Sequence, residues 1–334
     1  IKELREILGD ETRVLGLIKE ELAEIAETYG DERRTDINPS EDDVDIEDLI
    51  KNQQMVVSIT NSGYIKTVPL DTYRKQGRGG VGVTGMGTKE GDWLEHLVVC
   101  SSHDYLLFFT NRGRVYRTKV YELPEGARTG KGRAIVNVLE LEDGETVKSL
   151  LSTKDFGLGK DSDEGKYVVF ATKRGMIKKT ELAEYNTQLK TKGIIAIKIR
   201  DDDELVTVRK TSGDNELIMV SRSGQAVRFN ESQTRPMGRG TSGVRGMNVD
   251  QEGNEVLAMD VADPTRELLV ITENGYGKRT PIDQYRETKR GAMGVKTIKL
   301  TDARGGVAGA LVVREHEDLV LVSQGGKLQR TGVK

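Results

Sequence analysis

Cysteine, proline and aromatic residues are all scarce in this sequence. The single cysteine, Cys100, has no partner for a disulfide bond, which favours a reducing compartment such as the cytoplasm. Six prolines against 38 glycines are typical of tight turns between short strands. Aromatic residues make up only 5% of the 334 residues, which argues against a surface that stacks the bases of single-stranded nucleic acid.

Long apolar runs and catalytic clusters are missing as well. No run approaches the length of a membrane span, and the first residues lack a signal-peptide pattern, so no membrane partner is predicted. The histidines His96, His103 and His316 are isolated, without ligand partners at metal-binding spacing. No phosphate-binding Walker loop is present. We therefore predict no catalytic residue, metal or cofactor in this segment.

The net charge of −3 hides two opposite parts. Residues 1–50 carry a net charge of −11, and the remaining residues carry +8. A basic body beside an acidic leader favours a polyanion as the partner. Charge alone leaves an ordinary solvated surface equally open.

Six stretches share one pattern, in which an apolar run with β-branched residues leads into a polar turn with glycine. They are Met55–Lys66, Leu106–Arg117, Val168–Lys179, Leu217–Arg228, Leu268–Arg279 and Leu319–Arg330. The turn glycines recur about every 50 residues, except for 62 residues between Gly113 and Gly175. Repeat two predicts four strands, at "YLLFFT", "RVYRTKV", "IVNVLEL" and "TVKSLLS". This period and strand number predict an all-β, six-bladed propeller-like fold of four-stranded blades, with the last blade incomplete.

The chain divides into three predicted parts. Residues 1–35 show the apolar spacing of short amphipathic helices, with Asp10 as an N-cap and Gly30 as a stop. Residues 36–50 are acidic and read as a linker, because they have little apolar surface to bury. Residues 51–334 hold the six repeats.

A basic residue follows most of the turn glycines at the same offset. The residues four positions after the glycines are Thr67, Arg117, Lys179, Arg228, Arg279 and Arg330, and Lys66 precedes Thr67. A repeated fold with a repeated positive charge predicts a basic track. We expect Arg117, Lys179, Arg228 and Arg279 to contact phosphates along it.

Glycine-rich basic loops extend this track. The loop of repeat one contains Gln76, Gly77, Arg78, Gly79, Gly80, Val81 and Gly82, and its glycines allow close approach of backbone N–H groups to a phosphate. A turn that needs left-handed conformations explains such a loop equally well. Later repeats carry similar loops. The predicted basic rim consists of Lys66, Arg74, Lys75, Arg117, Arg128, Lys131, Arg133, Lys178, Lys179, Lys190, Lys192, Arg228, Arg239, Arg245, Lys278, Arg279, Arg290, Lys296 and Arg330.

A basic rim with few aromatic residues favours duplex DNA held through its phosphates. The rival interpretation is a protein-interaction propeller that binds an acidic partner. A catalytic propeller is disfavoured, because no histidine or carboxylate set converges in the repeats.

Residues 76–82 resemble the A-box, Q-[RK]-R-G-G-[RK]-G, of the C-terminal domain of bacterial DNA gyrase A. Similar segments elsewhere are residues 68–74, 85–97 and 104–117, and residues 13–35 resemble the end of the breakage-reunion domain. Gly77 and Val81 depart from the pattern by replacing its two outer basic positions, which leaves Arg78 as the only charge in the box. The A-type subunit of topoisomerase IV often has a degraded box, so it remains the alternative.

The resemblance implies a six-bladed β-pinwheel whose neighbouring blades exchange strands, and in which the A-box links the first and last blades. It implies that double-stranded DNA wraps around the rim, so that an ATP-hydrolysing type II topoisomerase introduces negative supercoils. The implied partners are gyrase B and the breakage-reunion domain of gyrase A, in an A2B2 complex of the bacterial cytoplasm that is associated with the nucleoid. ATP and magnesium would be bound by gyrase B.

Overall fold

The computed structural model describes residues 1–31, 46–72, 92–127, 129–158, 165–187, 192–322 and 328–333. These residues form two compact units, Ile1–Leu49 and Ile50–Lys334. Most of the predicted acidic linker lies outside the described residues.

The first unit is helical. It contains α1 (Lys2–Leu8), α2 (Glu11–Tyr29) and α3 (Ile46–Leu49). The Asp10 carboxylate accepts the backbone N–H of Thr12 at 3.0 Å and caps α2, and Gly30 ends that helix, as the sequence predicted. None of the described helices combines the length and apolar character needed to cross a membrane.

The second unit is built from short strands joined by turns and by single-turn 3-10 helices. The strands are β1 (Gln54–Thr60), β2 (Tyr64–Pro69), β3 (Leu94–Ser101), β4 (Tyr105–Thr110), β5 (Arg114–Lys119), β6 (Arg133–Ala134), β7 (Val147–Thr153), β8 (Tyr167–Thr172), β9 (Met176–Glu181), β10 (Ile194–Ile195), β11 (Leu205–Thr211), β12 (Glu216–Ser221), β13 (Gln225–Asn230), β14 (Val244–Arg245), β15 (Val256–Val261), β16 (Glu267–Thr272), β17 (Gly277–Pro281), β18 (Val295–Lys296), β19 (Val307–Val313), β20 (Asp318–Val322) and β21 (Leu328–Gly332). The 3-10 helices are Leu70–Thr72, Val120–Glu122, Ile135–Asn137, Leu182–Tyr185, Glu231–Gln233 and Ile282–Gln284.

The first four sheets are antiparallel, and each takes its last strand from the following repeat. Their orders are β3-β1-β2-β6, β7-β4-β5-β10, β11-β8-β9-β14 and β15-β12-β13-β18. The fifth sheet has the order β19-β16-β17, and β20 pairs with β21. We call β6, β10, β14 and β18 the exchange strands. This is the strand exchange that the resemblance implied.

The prediction that each repeat builds four strands of its own blade is therefore wrong in one respect. The predicted third strand, residues 135–141, begins with a 3-10 turn, and only the two preceding residues pair as β6 with β2 of the first sheet. The all-β, propeller-like architecture is confirmed, with four-stranded sheets as its unit.

The core lies between neighbouring sheets. Leu106 and Phe108 of β4 face repeat one, whereas Leu107 and Phe109 of the same strand pack against Phe170 and other residues of repeat three. Since both faces of the central strands are covered, β4 is apolar and buried from Leu106 to Phe109 without alternation.

The inner edges of the sheets also contact one another. Arg209 of β11 pairs with Asp260 of β15 at 2.9 Å, and Asp260 accepts the backbone N–H of Val312 in β19 at 3.2 Å. Lys210 Nζ donates to Ser152 O of β7 at 2.8 Å. With one edge of each sheet turned inward, the exchange strand forms the outer edge.

Candidate nucleic-acid interface

The outer edge is where the basic loops meet the strands. Each exchange strand follows directly after a glycine with positive φ, namely Gly132, Gly193, Gly243 and Gly294. At Gly243, φ is +79°, and an added Cβ would lie 2.4 Å from Ile177 O of β9. Only glycine combines this backbone conformation with so close an approach. The glycine therefore holds each loop against the sheet of the preceding repeat.

Several predicted rim residues lie in these loops with their side chains at the surface. Arg133, Arg245 and Lys296 are on exchange strands and are exposed, as is Lys192, two residues before β10. Lys131, Arg239 and Arg290 are half-buried in these loops. Lys278, which is exposed, and Arg279, which is half-buried, lie instead on β17. The structure thus brings basic side chains to the outer edge of four successive sheets.

Three further exposed cations in the same loops were absent from the predicted rim. They are Arg235, Arg286 and Lys289. The signal that identifies them is their position in the segment between a 3-10 turn and a positive-φ glycine, which recurs along the repeats.

Adjacent loops are joined to one another. Arg290 donates through Nε to Gln233 O at 3.0 Å and through Nη1 to Arg245 O at 2.9 Å. Asn248 N–H donates to Ala292 O at 2.9 Å. The loop of repeat five therefore lies along the loop of repeat four, and the basic edge is continuous there.

The basic residue four positions after a turn glycine has a different role from the predicted one. Lys179 Nζ donates to Glu231 O at 3.0 Å and lies 3.5 Å from the Glu231 carboxylate. Arg228 Nη1 donates to Ile282 O at 2.9 Å and to Tyr285 O at 2.8 Å. Both side chains thus bind carbonyls in the 3-10 turn of the next repeat, and so tie neighbouring repeats together.

The same position in repeats two and five is also occupied by a paired side chain. Arg117 donates to Asn186 Oδ1 at 3.1 Å, and its guanidinium lies 4.8 Å from the centre of the Tyr105 ring. Arg279 pairs with Glu267 at 2.9 Å. In these four repeats the cation at this position is therefore paired within the protein, although the buried Nε of Arg117 has no hydrogen-bond partner.

These placements correct part of the predicted rim. Lys66 and Lys178 have no exposed surface, Lys179 is 4% exposed, and the Arg228 side chain is 12% exposed. A phosphate cannot reach a charged group that is enclosed and already paired with carbonyls and carboxylates. Direct phosphate contact by these four residues was therefore wrongly predicted.

The described residues hold no group of three or more metal-ligating side chains. Burial raises the pKa of the Cys100 thiol to about 12, so this thiol stays protonated and unreactive at neutral pH.

Comparison with known proteins identifies the family. The model of the DNA gyrase C-terminal domain, a β-propeller, matches residues 54–101, 104–154, 166–212, 215–263 and 266–314. The chain belongs to this family. The five matched segments correspond to five blades, where six were predicted, and the sixth repeat contributes only the hairpin β20–β21 to the described part of the domain.

Known relatives agree with this assignment. The DNA gyrase A subunits of Staphylococcus epidermidis (strain ATCC 12228) and Staphylococcus aureus (strain NCTC 8325) are each 44% identical to the chain over its whole length. The chain spans only 37% of the length of these curated relatives.

Two solved structures share the fold of this gyrase-family domain. A DNA gyrase A C-terminal domain is 30% identical, with a TM-score of 0.68 over 84% of this chain and 89% of that one. The C-terminal domain of a DNA topoisomerase IV is 26% identical, with a TM-score of 0.69 over 85% and 84%. Backbone similarity alone does not separate the two enzymes.

Some predicted gyrase-type contacts cannot be placed. Arg74, Lys75 and the whole A-box, residues 76–82, lie outside the described residues, as do Arg128 and Lys190. Arg330 lies on β21, but its side chain is outside the described part. Their roles remain predictions.

Proposed function

We propose that this chain is the DNA-wrapping part of the gyrase A polypeptide of a DNA gyrase, a type II topoisomerase. It binds duplex DNA along the outer edge of its sheets, through phosphates rather than base edges. The observation that carries the proposal is the exposed basic set Arg133, Lys192, Arg245 and Lys296, each of which lies within two residues of the positive-φ glycine at one of four successive exchange strands. Because such contacts are to the backbone, little sequence specificity is expected.

The free-energy cost of bending DNA favours many weak phosphate contacts over one strong binding site. Bending 20–30 base pairs through a right angle costs several kcal/mol, on the order of 1–6. Each phosphate contact releases counterions, and the sum over several loops offsets the bending cost. A continuous edge such as the one formed by the loops of repeats four and five supplies contacts at successive turns of the duplex.

The A-box of residues 76–82 has a place in this scheme. Gly82 and Val83 occupy in repeat one the place of Gly132 and Arg133 in repeat two, directly after a basic loop. We propose a sixth blade based on β20 and β21, and Arg78 as the residue that anchors one end of the wrapped DNA.

The chemistry of strand passage belongs to the rest of the enzyme. The chain spans 37% of the length of its curated relatives, and we assign DNA cleavage to the part of gyrase A outside this chain. ATP hydrolysis with magnesium is assigned to gyrase B, in an A2B2 complex on the chromosome in the cytoplasm.

Topoisomer analysis tests this function. Closed circular DNA is relaxed by a type I topoisomerase in the presence of the chain, and its linking number is measured after deproteinisation. Wrapping shifts the linking number in proportion to bound protein, and the direction of the shift gives the handedness of the wrap. The control replaces Arg133, Lys192, Arg245 and Lys296 by Gln. An unchanged linking number together with no gel shift of random duplex would refute the proposal and favour an acidic protein partner.

The topoisomerase IV alternative rests on the structural neighbour described above and on Gly77 and Val81 in the A-box. Arg78→Ala in the reassembled enzyme separates the two. For gyrase, supercoiling falls far more than relaxation. Equal loss of both activities would remove the special role of the A-box.

A further inference from the structure

Three lysines share one register in alternate repeats. Lys66, Lys178 and Lys278 each lie three residues after the turn glycine of repeats one, three and five. The same position holds Tyr116 in repeat two and Val227 in repeat four. The rim was predicted from the residue four positions after each turn glycine and from the basic loops, whereas this alternation of lysine with other residues concerns the third position.

Lys178 is enclosed beneath the basic loop of repeat four. Its Nζ donates to Ala196 O at 2.7 Å and to Arg239 O at 2.6 Å, and it lies 5.6 Å from the centre of the Phe170 ring. Arg239 belongs to the basic loop of the next repeat, four residues before the positive-φ Gly243. A buried ammonium therefore holds the backbone of the loop that carries a predicted phosphate ligand.

Lys66 makes the corresponding contact in repeat one. Its Nζ donates to Ala127 O at 3.1 Å and to Gly130 O at 2.9 Å, both in the basic loop of repeat two that leads to Lys131 and Arg133. Lys278 Nζ donates to Thr297 O at 2.9 Å, which is the counterpart of the Ala196 contact of Lys178.

The lysine–carbonyl contacts also determine the direction of the neighbouring backbone N–H groups. In a trans peptide the C=O and the following N–H point in opposite directions. With Arg239 O turned inward to Lys178, the N–H of Gly240 points away from it, and with Gly130 O turned inward to Lys66, the N–H of Lys131 does the same. Outward N–H groups in a glycine-containing turn form a binding place for an anion.

We propose that Lys66 and Lys178 are positioning residues for phosphate binding. Each buried ammonium orients the basic loop of the following repeat, so that backbone N–H groups and cationic side chains face the DNA together. The proposal rests on the DNA-wrapping function proposed above. It also assigns a function to two lysines whose burial excludes direct contact with DNA.

Lys178→Met and Lys66→Met test the proposal, because methionine keeps an unbranched apolar stem and removes only the ammonium. The matched control is Val227→Ala, a core truncation at the same register in a repeat without the lysine. The assay measures the affinity of the complete chain for a random duplex across a salt series. The duplex has about 40 base pairs, so that it spans several loops. The temperature is kept below the unfolding temperature of every variant. Each lysine variant is expected to lower the slope of log affinity against log salt by about 0.9 for every phosphate that is no longer bound. The control keeps the wild-type slope, although it is less stable.

Hydrogen exchange supplies a second readout that needs no variant to fold. On binding duplex DNA, the amides of Gly240 and Lys131 in the wild-type chain become protected. No protection there, or an unchanged salt slope in folded Lys178→Met and Lys66→Met, would overturn the positioning role. The proposed DNA-wrapping function would survive either result, provided that the wild type still binds duplex DNA with a steep salt dependence. Absence of such binding by the wild type would instead contradict the proposed function itself.

Discussion

Replacing Arg228 by alanine is expected to weaken the fold while leaving the salt dependence of DNA binding unchanged. The Arg228 guanidinium is paired with Glu216 within its own sheet and binds Ile282 O and Tyr285 O of the next repeat. The substitution removes this tie and leaves the partly buried Glu216 carboxylate and Tyr285 O without the Arg228 donor, whereas Ile282 O keeps the backbone N–H of Tyr285.

The magnitude follows from these contacts. A hydrogen bond to a charged group contributes about 1.5–3 kcal/mol, and removing one partner of a buried ion pair costs about 3–5 kcal/mol. The Glu216 side chain is 23% exposed, so water recovers part of this cost. We expect the free energy of unfolding to fall by about 3 kcal/mol. With an m-value of about 3 kcal/mol per molar urea, the unfolding midpoint falls by about 1 M.

Urea unfolding followed by circular dichroism measures the first effect, and a duplex-binding salt series measures the second. The matched comparison is Lys296→Ala, which removes an exposed cation from an exchange strand. If Arg228→Ala lowered the salt slope by about one and left the urea midpoint in place, Arg228 would be a phosphate ligand and the tie between repeats would be refuted.

Three further predictions follow from the structure. Lys296→Ala is expected to lower the salt slope of duplex binding by about 0.9, and to change the free energy of unfolding by less than about 0.5 kcal/mol; the reverse pattern in the two assays would contradict its surface role. Burial lowers the pKa of His96, helped by Lys148 and opposed by Glu95, so the unfolded chain takes up the proton first as pH falls below 6.5. Between about pH 7 and 5, the free energy of unfolding of the wild type should therefore fall relative to that of His96→Gln, by at most about 1.4 kcal/mol per pH unit. Urea unfolding of both proteins across this pH range measures the difference. Parallel pH dependences of the two proteins would contradict the prediction. Gly243→Ala would place its Cβ 2.4 Å from a backbone oxygen of β9, whereas Gly253→Ala at a similar positive φ meets no atom within 4 Å. The first should lose at least about 1–2 kcal/mol more than the second in thermal or urea unfolding, and equal losses would show that the loop does not lie against the sheet.

The repeat and its strands were predictable because they depend on local chemistry. Glycine and polar residues at the turns and unbroken apolar runs such as "ELLVIT" determine a strand pair and its burial on both faces. The helix bounded by Asp10 and Gly30 follows from capping in the same way. The third strand of each repeat was not predictable from its own residues. It is two residues long, and its pairing partner belongs to the preceding repeat.

The candidate site was likewise predictable only in part. The sequence by itself determined that a cation recurs at or beside the same offset from each turn glycine, and that basic, glycine-containing loops recur along the repeats. Only the tertiary structure decided which of these charges face solvent. Arg245 and Lys296 lie at an outer edge, whereas Lys178 and Arg228 lie between sheets and bind carbonyls. The physical reason is that a side chain's exposure depends on the neighbouring sheet packed against it, and residues distant in the sequence supply that sheet.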